Sequence, residues 1–219
     1  MVDYVYAEQL KKEFKVVASF YNQKVKGKVF PCRNHAYVIR KGNQLNHEVN
    51  AILILMNPGT SSPIRKEAFV PTLNLELPSC IPYIEAKPDP TQYQVMRLMK
   101  VKDWTRVSIL NLSDLCAGNS EDFKKLLQEA EDSGFHFHSI FSVEREKELQ
   151  SQLSTANGPI LLAWGTNGIL EPLANKALKK LPSERIKGLK STNKPFYYHI
   201  NPILKEKQIE LLTKMNQTI

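Results

Sequence analysis

Polar side chains suited to hydrolysis follow several apolar segments of this chain. Asn57 comes after the first of them, Asp114 after the second, and His199 ends the fourth. A carboxylate or amide can orient a water molecule, and a histidine can donate to the negative charge that develops on a departing group. These residue types predict hydrolysis in which a poor leaving group departs as an anion. Further polar candidates are Ser61, Ser62, Thr166, Asn167 and Asn201.

Each of these residues also has an ordinary structural interpretation. Asp114 can cap a turn, and His199 can be a histidine with satisfied hydrogen bonds at a strand end. Asn57, Pro58 and Gly59 are common turn residues, and Trp164 can belong to the core. The residue types alone leave both interpretations open.

The clearest predicted element precedes Asn57. Residues 51–56, AILILM, form a continuous apolar run, which is typical of a strand covered by helices on both faces. Pro58 cannot donate to a strand ladder and Gly59 permits positive φ, so the strand must end there. Ligands of open α/β sheets bind at the carboxyl ends of strands, and the loop at 57–63 is therefore the first candidate site.

Strand and helix patterns alternate along the rest of the chain. The predicted helices lie at 4–22, after Asp89-Pro90, from Asn119 to Gly134, at 142–153, at 170–181 and after 202; the predicted strands lie at 37–39, 107–112, 159–164 and 196–200. This order predicts a three-layer α/β/α sandwich with a mostly parallel central sheet in one domain, 1–219, with an N-terminal helix within 1–24 packing on it. The strands at 37–39 and 51–56 are interpreted as an antiparallel edge pair, and 61–89 as a long loop.

Composition limits the classes of partner. Lys and Arg number 30 against 22 Asp and Glu, and the net charge of +8 favours a phosphate-rich partner, although a solvated basic surface is the simpler alternative. Since no apolar run is long enough for a membrane span and residues 1–14 do not resemble a signal peptide, we expect a cytoplasmic protein that does not bind membranes.

Cysteine and histidine spacing suggests neither disulfides nor a metal site. Cys32, Cys80 and Cys116 lie far apart, and we expect reduced thiols. His136 and His138 are two residues apart, but no cysteine or carboxylate cluster joins them in the sequence. We predict neither a metal nor another cofactor. Motifs of hydrolase-fold esterases, P-loop enzymes, dinucleotide binders and zinc peptidases are missing from the sequence.

Several short motifs resemble those of the uracil-DNA glycosylase superfamily. The stretch 56–63, MNPGTSSP, resembles the first motif of its mismatch-specific type, in which a strand ends in Ile-Asn-Pro-Gly and Leu-Ser-Ser follows. A closer resemblance is to a family of small uncharacterised bacterial and phage proteins that carries Asn-Pro-Ser-Thr, Asp-Pro-Thr, Asn-Leu-Phe, Ala-Trp-Gly and a late His-Pro. The matching segments are 57–60 (NPGT), 89–91 (DPT), 111–113 (NLS), 163–165 (AWG) and 199–202 (HINP).

This resemblance implies a uracil-DNA-glycosylase-like fold and N-glycosidic hydrolysis of a base in nucleic acid or in a nucleoside. Asn57 would orient the water, Asp114 would assist it or stabilise the sugar cation, and His199 or Asn201 would hold the departing base. The expected substrate-binding residues are Pro58, Gly59, Ser61, Ser62, Phe69, Trp164, Gly165, Asn167 and Asn201.

Two departures from the resembled pattern keep other functions open. Leu55-Met56 replaces Gly-Ile before Asn57, and 201–204 reads Asn-Pro-Ile-Leu where Asn-Pro-Ser-Gly is expected. The alternative is a non-catalytic module that binds a nucleotide or nucleic acid on the same fold; a small-molecule enzyme is a third hypothesis, because a fold does not fix a function. The sequence does not specify an oligomeric state.

Overall fold

The computed structural model describes residues 4–42 and 48–219, which form an α/β fold with a mixed sheet. The helices are α1 (Ala7–Glu13), α2 (Pro90–Lys102), α3 (Ser120–Ser133), α4 (Glu146–Ser154), α5 (Glu171–Lys180) and α6 (Lys205–Thr218). The strands are β1 (Phe14–Val25), β2 (Lys28–Arg40), β3 (Ala51–Leu55), β4 (Ser62–Pro63), β5 (Thr72–Asn74), β6 (Ile84–Lys87), β7 (Arg106–Asn111), β8 (Ile160–Leu162) and β9 (Ile186–Lys187).

The sheet has an antiparallel and a parallel half, and the prediction of a mostly parallel sheet is wrong. The strand order is β4-β6-β1-β2-β7-β3-β8-β9, with β5 also paired to β1. Along this order, β4, β6, β1, β2 and β7 pair antiparallel, whereas β7, β3, β8 and β9 pair parallel; β5 pairs parallel to β1. The longest pairing joins β1 to β2 through a turn at Lys26 and Gly27, whose φ angles of 47° and 81° suit a tight hairpin.

The predicted helix at 4–22 is wrong beyond α1, because most of that segment is strand β1. Its even-numbered residues from Phe14 to Phe20 pack into one hydrophobic cluster, and Val17 and Tyr21 pack into the other. A strand buried on both faces carries apolar residues at both odd and even positions. Some of these apolar residues also have the spacing of one face of a helix, which is why a helix was predicted.

Three further predictions need correction. Strands β2 and β3 do not pair with each other, since β7 lies between them, and β3 is central rather than an edge strand. Segment 196–200 is not a regular strand; Tyr197 alone makes isolated bridges to Gly165 and Lys190. The predicted loop at 61–89 contains the short strands β4, β5 and β6.

Locally encoded elements agree with the sequence. The apolar runs at 51–56 and 159–164 contain β3 and β8, and the run at 107–112 overlaps β7, which begins one residue earlier. Helix α2 begins with a capping box between Asp89 and Gln92, and α3 runs from the Asn119 cap to Gly134. Because β7, β3 and β8 are parallel, their carboxyl ends lie at one edge, where the candidate site is found. Within the described ranges, none of the helices has the length and apolarity to cross a membrane.

Candidate functional site

A cavity of about 410 Å³ lies at the carboxyl edge of the parallel strands. Its walls come from segments 55–59 after β3, 89–92 at the start of α2, 117–120 at the start of α3 and 164–167 after β8, together with Arg33 and His199. The volume is within the range of small-molecule binding sites. Of the residues predicted from sequence, the structure brings the following to this cavity: Asn57, Pro58, Gly59, Trp164, Gly165, Thr166, Asn167 and His199.

The Asn57 side chain is held in one orientation by two backbone carbonyls. Its Nδ2 donates to the carbonyl of Leu115 at 3.2 Å and to that of Ala117 at 2.8 Å. Both partners are acceptors, so only the amide nitrogen can face them, and the acceptor Oδ1 must lie on the other side of the amide. Oδ1 has no hydrogen-bond partner among the described residues. Asn57 therefore offers a fixed acceptor on the cavity wall.

Asp89 is a second acceptor at the cavity, and the sequence analysis treated it only as a helix cap. Its Oδ1 accepts from the Gln92 N–H at 2.8 Å. A Cβ added to Gly59, where φ is 66°, would lie 3.6 Å from Asp89 Oδ2. The second carboxylate oxygen thus faces the loop after β3. In the sequence, only its place in the DPT motif connected Asp89 with a functional site.

His199 also lines the cavity, where it can supply a hydrogen-bond donor beside the acceptors of Asn57 and Asp89. Its Nδ1 lies 3.3 Å from the backbone nitrogen of Asn201, from whose N–H it can accept, and 3.4 Å from the Asn201 carbonyl oxygen; in the tautomer in which Nδ1 accepts, Nε2 carries the proton and can donate. Burial lowers the pKa of His199, although Asn201 and Asp89 act in the opposite direction, so the ring is neutral at pH 7. The segment is tied to β8 because the Gly165 N–H donates to the Tyr197 carbonyl at 2.9 Å.

Trp164 and Asn167 line the cavity but have structural partners. Trp164 is 1% exposed, belongs to a core cluster and donates through Nε1 to the Pro195 carbonyl at 3.3 Å. Asn167 Oδ1 accepts from the Ile169 N–H at 3.1 Å and caps a short 3-10 turn. Trp164 is therefore not placed as a stacking platform, and Asn167 uses its side-chain oxygen as a cap.

Five predicted site residues do not line this cavity: Asp114, Ser61, Ser62, Phe69 and Asn201. Asp114 is fully buried, and its Oδ2 accepts from the Tyr21 hydroxyl at 2.8 Å and from Arg145 Nη1 at 2.5 Å. Burial raises the pKa of Asp114 to about 7, while Arg145 opposes that rise. Phe69 is 73% exposed. The environment of Asp114 is that of a buried ion pair.

Arg33 is a further cavity residue that was not predicted from the sequence. It is 1% exposed, and its Nε and Nη1 atoms have no hydrogen-bond partner among the described residues. Burial lowers the pKa of the guanidinium, while Asp89 is the first of the charges that act against this, and an arginine remains a cation near neutral pH. No motif marks this residue, and its segment did not fit strand alternation.

One buried cluster has the residue types of a hydrolytic triad without its accessibility. Ser113 Oγ lies 2.9 Å from His138 Nδ1, and His138 Nε2 lies 3.0 Å from Glu131 Oε1. Ser113 and His138 are both fully buried, and neither lines the cavity. The cluster serves packing, because no substrate atom can approach the hydroxyl. Glu131 also contacts His136, a link that sequence spacing did not indicate.

Comparison with protein-family models, curated proteins and solved structures finds no significant match. Within the part of the chain that the structure describes, no group of three or more His, Cys, Asp or Glu side chains could hold a metal ion. The three cysteines are free. The chemistry of the site must be argued from its own geometry.

Proposed function

We propose that this protein hydrolyses the N-glycosidic bond of a nucleotide-class substrate bound in the cavity. The observation that carries the proposal is the orientation of Asn57, whose amide nitrogen is held by two carbonyls while Oδ1 is left to accept from a water molecule. A fixed acceptor costs no reorganisation during the reaction, which is the property that makes preorganised polar groups effective.

The remaining groups divide the work of the reaction. Water held by Asn57 attacks the anomeric carbon as the bond from that carbon to the base breaks; the Asp89 carboxylate stabilises the positive charge that develops on the sugar and takes up the proton that the water loses. The role that the sequence analysis gave to Asp114 passes to Asp89, because Asp89 lines the cavity and Asp114 does not. The neutral His199 donates through Nε2 to the base, which leaves as an anion.

The proposal includes a relationship to the uracil-DNA-glycosylase-like fold. Helices α1, α2 and α6 contribute residues to one hydrophobic cluster, and α3, α4 and α5 contribute to the other. This division supports helical layers on both faces of the sheet. Substrates would then be bases in nucleic acid, nucleosides or nucleotides, and the net charge of +8 favours such partners.

A base-release assay tests this function. The purified protein is incubated with nucleosides, nucleotides and single- or double-stranded oligonucleotides that contain uracil, mismatched thymine or hypoxanthine, and free base is measured by chromatography. We expect release by the wild type and a loss of about 10²–10³-fold in rate for Asn57→Ala, the effect of removing one preorganised polar group. Asn216→Ala, at an exposed position on α6, is the matched control. Equal rates for Asn57→Ala and wild type would contradict the role of Asn57.

A non-catalytic nucleotide-binding module is the second candidate. It is favoured by the fact that Asp89 Oδ1 is already used to cap α2, whereas the buried Arg33 faces the cavity. Binding of an anion needs the cation but no base. Salt-dependent binding without release of any base would select this function over hydrolysis.

Gly59→Ala is expected to reduce ligand binding much more than stability. At φ 66° an alanine is strained by about 1–2 kcal/mol, and its methyl group would lie beside Asp89 Oδ2 on the cavity wall. Gly27→Ala is the control, since Gly27 has φ 81° and open space around it, away from the cavity. Urea denaturation should give similar losses of stability for both variants, and only Gly59→Ala should weaken nucleotide binding. A similar affinity for both variants would show that the 57–59 loop does not contact the ligand.

A further inference from the structure

We propose that Arg33, Gln92 and the first turn of α3 form an oxyanion subsite in the cavity, and that the natural ligand carries a phosphate group there. The identification of the ligand as a nucleotide rests on the proposed function, whereas the phosphate subsite itself does not. None of these groups was part of the predicted site.

Among the side-chain atoms of this wall that solvent does not reach, those without a hydrogen-bond partner are all donors, whereas the unpartnered Oδ1 of Asn57 is open to the cavity. These donors are Nε and Nη1 of Arg33 and Nε2 of Gln92, and both residues are 1% exposed. A buried donor without a partner costs about 1–3 kcal/mol, and more when it is charged. A ligand rich in acceptor oxygens would satisfy all three atoms together.

Two other arginines with structural roles, Arg145 and Arg185, are supplied with acceptors, whereas Nε and Nη1 of Arg33 are not. Arg145 contacts Asp114, Glu148 and the Phe137 carbonyl. Arg185 donates to three backbone carbonyls at 2.6–3.2 Å. No ion pair between Arg33 and a described carboxylate is formed. The planar guanidinium is suited to binding two oxygens of a phosphate at once.

Helix α3 adds backbone donors at the same wall. It is 14 residues long, and its cap residue Asn119 and first residue Ser120 line the cavity. Asn119 Oδ1 accepts from the Asp122 N–H, so the N–H groups of Ser120 and Glu121 keep no intrahelical acceptor. The positive end of the helix dipole therefore reinforces Arg33.

Asp89 is the negative group that the ligand would meet. Its Oδ1 is engaged by the α2 N-terminus, whose dipole offsets part of its charge. His199 is neutral and does not oppose an anion. The phosphate is therefore expected on the Arg33 and α3 side of the cavity, with the sugar and base toward Asp89 and His199.

Inorganic phosphate is the probe for the subsite. Calorimetric titration and thermal unfolding are performed in phosphate and in chloride at equal ionic strength. We expect phosphate, but not chloride, to bind and to raise the unfolding temperature of the wild type. Arg65→Gln removes an exposed arginine outside the cavity and should keep this response. Absence of a phosphate-specific response in the wild type would overturn the proposal.

Two variants separate a binding role from a folding role. Arg33→Met removes an unpaired buried charge, so we expect unchanged or higher stability without ligand and at least a tenfold loss of phosphate affinity. Gln92→Glu keeps the acceptor of the capping box but replaces the donor at Nε2, and should weaken phosphate binding while α2 stays capped. A phosphate affinity equal to that of the wild type in either variant would contradict the assigned subsite. If Arg33→Met does not fold, the phosphate affinity of Gln92→Glu alone tests the subsite.

A last comparison distinguishes the subsite from the hydrolytic function. We expect a nucleoside 5′-monophosphate to bind at least tenfold more tightly than its nucleoside in the wild type and equally in Arg33→Met. Phosphate binding without base release would retain the subsite and remove hydrolysis. Base release with no preference for the monophosphate would retain hydrolysis and overturn the subsite.

Discussion

Replacing Arg145 with methionine is expected to lower the free energy of unfolding by about 3–5 kcal/mol, the cost of breaking a buried ion pair from one side. Arg145 is 1% exposed and contacts the fully buried Asp114 at 2.5 Å. Without Arg145, the Asp114 carboxyl group keeps only the Tyr21 hydroxyl as a side-chain partner, and its pKa rises further because no arginine opposes the effect of burial. Urea denaturation at pH 7 measures the effect directly.

The controls for this prediction use one surface pair and one double variant. Lys214→Met breaks an ion pair with Glu210 whose side chains are 56% and 43% exposed, and should cost at most about 1 kcal/mol. Adding Asp114→Leu to Arg145→Met removes the stranded charge and should recover part of the lost stability. The prediction is contradicted if the losses in free energy of unfolding of Arg145→Met and Lys214→Met differ by less than about 1 kcal/mol, because the buried pair would then contribute no more than the surface pair.

The same network separates a structural from a catalytic role for Asp114. Since Asp114 does not line the cavity, Asp114→Asn should reduce stability and leave the rate of base release unchanged. A large loss of rate in a variant that remains folded would return Asp114 to the site, as the sequence analysis first expected.

Acid is expected to destabilise the protein well above the pH at which its exposed carboxylates titrate. Burial lowers the pKa of His35 to about 3, and the charges of Arg106 and Arg33 act in the same direction. The folded state holds a neutral ring, so its contribution is present above pH 6.5 and is lost as pH falls toward 3. A difference of that size corresponds to about 5 kcal/mol, an upper limit for one group.

The contacts of His35 indicate which variant tests this prediction. The Nδ1 atom contacts the Tyr83 hydroxyl and Nε2 lies 2.7 Å from Ser108 Oγ. His35→Gln keeps polar atoms there and does not titrate, so the slope of stability against pH between 6 and 4 should become shallower. Asn216→Ala, a non-titrating exposed position on α6, should leave the slope unchanged. Equal slopes for wild type and His35→Gln would assign the acid sensitivity to other groups.

The parts of the fold that sequence predicted are those specified by neighbouring residues. Strand β3 and the capped start of α2 are encoded within a few positions, and both appear as expected. Strand β1 was missed because its burial on both faces depends on partners at β2 and β6, which lie elsewhere in the chain. The helix at 4–22 was predicted from the helical spacing of Leu10, Phe14, Val17 and Tyr21, and this spacing is coincidental because the last three lie in β1.

The candidate site divides in the same way. Asn57 was found because a strand end and a turn mark it locally, and the structure places it on the cavity. Asp114 also follows a strand, but successive side chains of extended backbone face opposite directions, so position alone could not distinguish the cavity from the core. Arg33 could not be found, since its significance lies in the acceptors it lacks, and only the folded structure reveals them.

The cavity walls are drawn from both halves of the sheet. Arg33 belongs to the antiparallel strand β2, and Asn57 follows the parallel strand β3. A ligand held by both would act as a crosslink between the two halves of the sheet, so its binding should slow backbone hydrogen exchange across the whole sheet rather than near the cavity alone. For the same reason, fragments that separate β2 from β3 should have no measurable affinity for the ligand.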